Sequence, residues 1–229
     1  MKLLSINKTL ARSTLVGLAL PLLGMPLWNI LSSAYLKPVL ERNTLSLLGS
    51  LITAGMALAI IAIVVWGEKK PLSSMGLHRQ TPRSIIIALL ASIIISVGGT
   101  LISLALIKVS GLAMPTLLTE KIKDFPIWLA IWIVLSSSIA EEILYRGFLI
   151  ERLGQLTGNI WTGGLITLIW FTAMHLPLGV VYCLTLVLPT SALITALYIW
   201  RRDLIATIIT HLVMNAPIAL AAILFALAR

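Results

Sequence analysis

The chain has 229 residues, of which 59% are hydrophobic and only 11% charged, a balance that excludes an ordinary soluble domain and places the protein in a membrane. Its formal charge of +9 is scattered over short loops with no basic helix or aromatic-interleaved patch, so nucleic acid is excluded as a partner. The single cysteine, Cys183, excludes an intrachain disulfide and a cysteine-based metal site, and within its apolar stretch it reads as a small buried hydrophobe.

In chain order, stretches without Asp, Glu, Lys or Arg run over 13–36, 43–67, 84–107, 125–140, 153–200 and 204–228. A hydrocarbon core of about 30 Å takes about 20 helical residues. Each stretch of 24 or 25 residues therefore holds one span, the 48-residue stretch holds two, and the block around 125–155 adds another. Backbone groups in lipid must be satisfied within the segment, and nothing alternates as barrel strands do, so the spans should be helices. The expected fold is all-α, a polytopic transmembrane helical bundle of seven or eight spans forming one membrane domain over 1–229. The count turns on Pro217, which either kinks the last segment or divides it.

Lys2, Lys8 and Arg12 before the first apolar run, and Ser32-Ser33-Ala34 after it, outline a signal peptide. The run is longer than a usual signal core, so it is expected to stay as a span. An N-terminus inside gathers eleven basic residues on the cytoplasmic side, from Lys2 to Arg202. It leaves Lys37, Arg42, Lys108, Lys121 and Lys123 outside, joined by Arg229 if there are seven spans. The bias favours a cytoplasmic N-terminus in the plasma membrane. The polar interruptions 68–83, with Pro71, Gly76 and Pro82, and 108–124, with Gly111 and Pro115, read as solvated connectors with little helix. His78, in the first, is expected to be exposed and without a role. No repeat or linker divides the chain.

Of the eight acidic residues, Glu41, Glu68, Glu120, Asp124, Glu151 and Asp203 fall at or near span ends, where water can solvate them. Glu141 and Glu142 lie about fifteen residues into a helix starting near Pro126, where each charge costs about 2.5–3.5 kcal/mol on an insertion scale. Glu142 and Arg146 stand at i and i+4 with the acid first, the favourable order for an ion pair, so Glu142 reads as a supporting residue. Glu141, rotated by about 100°, has Tyr145 at i+4 and is left for chemistry. Phe171 and His175 repeat the i, i+4 spacing on the next helix, ahead of a break at Leu-Pro-Leu-Gly, with the Phe171 ring read as packing. With a turn near Gly158, Glu141 and His175 are each about fifteen residues from it and share a depth. His211 and Asn215 place an imidazole and a carboxamide on one face of the last segment.

Each of these polar residues alone would pass for interhelical glue. Together, two of three histidines and both mid-span acids fall on three neighbouring helices, which packing seldom requires. A carboxylate beside a neutral imidazole can deprotonate water for attack on a peptide carbonyl. A second histidine and an asparagine can stabilise the resulting oxyanion. The same atoms allow Glu141, His175 and His211 to ligate one divalent metal such as zinc. There is no His-Glu-x-x-His pair, no mid-span aspartate and no Gly-x-Ser-x-Gly elbow. A proton- or cation-coupled transporter would also place such groups in the membrane, but no two related halves with paired broken helices are present. A non-enzymatic immunity or scaffold protein is the third reading.

Glu141-Glu142-x-x-x-Arg146, Phe171-x-x-x-His175 and His211-x-x-x-Asn215, in this order on successive apolar segments, resemble the motifs of the CAAX protease and bacteriocin-processing family, also called Abi. The resemblance covers roughly 125–220 and implies a catalytic core there. It also implies an endopeptidase acting on a membrane-associated or lipidated protein or peptide. Glu141 and His175 would activate water, while His211 and Asn215 would hold the oxyanion.

Overall fold

The computed structural model describes residues 12–111 and 122–228. Among them are seven helices long and apolar enough to cross a membrane. They are α1 (Arg12–Leu36), α2 (Arg42–Gly67), α3 (Pro82–Ser110), α4 (Ile127–Thr157), α5 (Ile160–Leu178), α6 (Val180–Arg201) and α7 (Leu204–Leu227). Pro217 sits inside α7 without dividing it, so the described residues hold seven such helices and not eight. Lys2, Lys8, Pro115, Glu120, Lys121 and Arg229 lie outside the described residues.

The helix ends follow local chemistry. Thr81 and Ser84 exchange side-chain hydrogen bonds with each other's backbone N–H at the start of α3, with Pro82 at the first turn, satisfying donors that have no partner within the helix. Asn159 caps α5 through the Trp161 N–H at 2.9 Å. Asp203 caps α7 through the Ile205 and Ala206 N–H groups at 3.1 and 3.2 Å. Between α5 and α6 the chain reverses at Gly179, whose φ of +109° a residue with a Cβ rarely adopts.

α4 is the central helix, because residues 144–152 are buried without a break, and a helix covered all round belongs inside the bundle. Its Leu144, Phe148 and Leu149 pack with Ile60 and Val64 of α2 and Phe171 of α5. α3, by contrast, exposes Ile86, Ile93, Ile94 and Leu101, the surface expected of a lipid-facing helix. α4 also runs as a π-helix over Glu142–Ile150, beginning at the paired acids; such local unwinding often accompanies functional sites.

α4 and α5 touch backbone to backbone at Gly163. A Cβ there would lie 2.6 Å from the Gly154 nitrogen and 2.7 Å from the Ile150 carbonyl oxygen, so only glycine allows the approach. Gly163→Ala is expected to push the two helices apart at a cost of about 1–3 kcal/mol. A lowered melting temperature in detergent, with no such loss in Gly98→Ala, where a Cβ meets nothing within 4 Å, checks this.

The 68–83 segment is not a merely solvated connector. It contains a short helical turn at Leu72–Met75, and Met75 is buried. Glu68, Glu151 and Asp203, expected in water, are also buried. Arg152 clasps Glu68 through Nε at 3.0 Å and Nη2 at 2.5 Å, and the Thr14 hydroxyl donates to Glu68 at 2.7 Å. Glu151 accepts from the Tyr198 hydroxyl at 2.7 Å and pairs with Arg202. The Leu204 N–H donates to the Gly76 carbonyl at 2.8 Å. The physical reason is reciprocal: an acid near a span end can be buried once a cation and hydroxyls replace its water. His78 is exposed, as expected, with its Nε2 3.1 Å from the Arg202 carbonyl.

Burial pushes the Glu68 carboxyl up, but hydrogen bonds from Arg152 and Thr14, with the charges of Arg152 and Lys70, outweigh it and hold the group below the ordinary glutamate value. A depressed folded-state pKa gives stability that is complete above the unfolded value, about 4.3, and is lost as pH falls through the folded one. Melting temperature should therefore drop on acidification below about pH 4, and the drop should be smaller in Glu68→Gln.

Candidate active site

The motif residues come together where α4, α5 and α7 meet. His175 closes the regular part of α5, and its Nδ1 lies 2.8 Å from the Phe171 carbonyl. A carbonyl only accepts, so Nδ1 carries the proton and, in the neutral ring, Nε2 keeps a lone pair. The Phe171 ring is the floor on which three neighbours rest. Tyr145 meets it edge-on at 5.0 Å, the His175 ring is 4.6 Å away, and the Arg146 guanidinium carbon stands 4.5 Å from its centroid. The ring does pack, as its spacing suggested, and it also sets the placement of His175.

Glu142 and Arg146 form the expected ion pair at 2.9 Å, with both side chains almost fully buried. Glu142 does more than the sequence indicated. The same oxygen that meets Arg146 lies 2.8 Å from His211 Nδ1, so this anion orients the α7 histidine. His211 Nε2 is thereby turned towards Glu141, whose Oε2 is 4.0 Å away. Asn215 donates to the buried Ser138 hydroxyl at 3.2 Å. Ser138, one helical turn before Glu141, was not anticipated; the Ser136-Ser137-Ser138 run was the only hint.

Two cavities meet at His175. One, of about 250 Å³, holds Glu141, Tyr145 and His175 together with Asn29 and Thr53. The other, of about 290 Å³, holds His175, His211 and Asn215 against apolar side chains such as Leu186, Ile194 and Met214. Glu141 and His175 thus share a wall, as their matched depth implied, and His211 and Asn215 share another, as their i, i+4 spacing implied. The arrangement offers a carboxylate in one cavity, an amide donor in the other, and an imidazole nitrogen with a lone pair where they adjoin. Among the described residues, no three His, Cys, Asp or Glu side chains gather as a metal-ligand set.

A family model described as type II CAAX prenyl endopeptidase, Rce1-like, matches residues 123–217, the stretch that carries all of these side chains. Over these residues the chain is similar to the CAAX protease family. The matched family segment comprises α4, α5, α6 and the first half of α7, and it leaves α1, α2 and α3 outside. Comparison with curated proteins and with solved structures gives no match.

Proposed function

We propose that the chain is an intramembrane endopeptidase that hydrolyses a peptide bond of a membrane-associated or lipidated protein or peptide. The observation that carries this reading is the position of Glu141, half-buried, 4.0 Å from His211 Nε2 and in one cavity with His175.

Glu141, as the carboxylate, takes a proton from water, and the oxygen adds to the scissile carbonyl. His175 Nε2 accepts a hydrogen bond from the same water and fixes its lone pair on the carbonyl carbon. The developing oxyanion receives the second amide hydrogen of Asn215, the first being held by Ser138, and an Nε2–H from His211. Because His211 already gives its Nδ1–H to Glu142, donating from Nε2 as well takes the doubly protonated ring. Collapse breaks the C–N bond, and the proton held by Glu141 passes to the departing amine. These steps use carboxylate, imidazole and amide alone.

The excess of basic residues on the N-terminal side favours an orientation with the N-terminus inside. The turn 37–42 then faces out.

The test is reconstitution of the purified protein in liposomes with a panel of membrane-anchored peptides, products being mapped by mass spectrometry. A single internal cut at a rate unchanged by a chelator is the expected result. A rate abolished by chelation and restored by zinc would reassign Glu141 and the histidines as ligands. No cleavage of any peptide, together with cation uptake that Glu141→Gln abolishes, would replace the protease reading by transport.

A further inference from the structure

The half of the bundle outside the family match contains an unexplained polar group. Asn29 lies in α1, half-buried, and its carboxamide makes no hydrogen bond among the described residues. An amide in a membrane helix without a partner is costly unless something else uses it. Its neighbours fix its direction. Trp28 packs on Gly49 of α2, where a Cβ would come within 2.9 Å of the indole nitrogen, and the Thr53 hydroxyl of α2 donates to the Met25 sulfur at 3.3 Å. From α5, the Trp170 indole donates to the Pro21 carbonyl at 3.1 Å. Pinned on two sides, α1 presents Asn29 to the cavity that holds Glu141.

Asn29 also borders a second space. A groove of about 520 Å³ runs from Asn29 and Pro177 along Ser32 and Ser33 to Lys37 and Arg42. Asn29 and Pro177 line both this groove and the Glu141 cavity, so the two are neighbours. Arg42 approaches Asp124 at 3.9 Å, whereas Lys37 is exposed and makes no ion pair among the described residues. The eight steps from Asn29 to Lys37 cover about 12 Å of helix, roughly the length of four extended residues at about 3.3 Å each. The wall is mixed, with Asn29, Ser33 and Lys37 beside Trp28, Leu40 and Leu45, so it can meet both the backbone and the apolar side chains of a peptide. A carboxamide both donates and accepts, matching the alternating groups of an extended strand.

We infer that Asn29 is a substrate-binding residue, its carboxamide hydrogen-bonding the backbone of an extended peptide in this groove, with Lys37 receiving that peptide's terminal carboxylate. The inference deepens the protease reading and rests on it.

Its test is kept separate from catalysis by measuring binding in the Glu141→Gln background. The probe is a short palmitoylated, fluorescein-labelled apolar peptide with a free C-terminus, and its C-terminal amide, followed by anisotropy in nanodiscs. Adding Asn29→Leu should weaken binding of both probes at least about tenfold, with Asn29→Gln recovering part of it. Adding Lys37→Glu should weaken the free acid at least about tenfold and leave the amide unchanged. Affinities within twofold of the parent for Asn29→Leu, or equal losses for acid and amide in Lys37→Glu, overturn the assignment. Melting curves equal to the parent show that each variant is folded, and Asn29→Ala serves if Asn29→Leu melts early. If wild type and Glu141→Gln cleave alike while these binding losses hold, the catalytic role of Glu141 falls and the groove stands.

Discussion

Glu141→Gln is expected to lower the cleavage rate about 10²–10⁴-fold, the usual contribution of a positioned general base, without lowering the melting temperature. The two readouts separate chemistry from structure because Glu141 is not held as a structural residue would be. Its carboxylate stands 4.0 Å from His211 and hydrogen-bonds nothing else among the described residues. Gln keeps the volume and can still accept a hydrogen bond, but it cannot take a proton from water at neutral pH. The loss should therefore fall on kcat, with KM little changed. A variant with wild-type kcat would remove Glu141 from the reaction; one with a depressed melting point and undiminished turnover would make it a packing residue.

Arg146→Ala should have the opposite signature. Arg146 and Glu142 are almost fully buried, and the remaining guanidinium nitrogens make no hydrogen bond, the group lying against the Phe171 ring instead. Removing the cation leaves Glu142 charged inside the bundle, at a cost of about 3–5 kcal/mol, and takes away one of the contacts on Phe171. The expected outcome is a protein that unfolds early in detergent and is inactive at temperatures where the wild type works. A double substitution, Glu142→Gln with Arg146→Met, tests the reason. With neither charge present, stability should return towards wild type, since matched neutral groups often replace a buried pair without loss. Activity should not return, because His211 has lost the anion that orients its ring. A double variant with recovered stability and full activity would show that Glu142 plays no part in orienting His211.

These two residues also mark what the sequence could and could not disclose. The Glu142 and Arg146 pair, the Phe171 and His175 pair and the His211 and Asn215 pair are contacts or faces within one helix, so their spacing alone reveals them. The matched depth of Glu141 and His175 was legible because the turn at Gly158 joins their helices directly. The bond from His211 to Glu142 spans 69 positions, and that from Asn215 to Ser138 spans 77. Both depend on how α7 packs on α4, about which periodicity says nothing. Burial of Glu68 and Glu151 was missed for a related reason. Hydropathy places an acid near a span end, but only the folded arrangement supplies Arg152, Thr14, Tyr198 and Arg202 as its new solvent. Asn29 was passed over because one amide in a 25-residue apolar helix barely changes its hydropathy. Pro217 could not be resolved from sequence either; a proline in a membrane helix is tolerated where neighbouring groups satisfy the freed carbonyl.

The central claim is that water held by Glu141 attacks the peptide carbonyl directly. It is tested most directly by a single turnover in ¹⁸O-enriched water, with enzyme in excess over an anchored peptide and the new C-terminus read by mass spectrometry. Direct attack predicts one ¹⁸O atom in the product of the first turnover. A first-turnover product carrying only ¹⁶O, its oxygen having come from a side-chain carboxylate through a covalent intermediate, would contradict it.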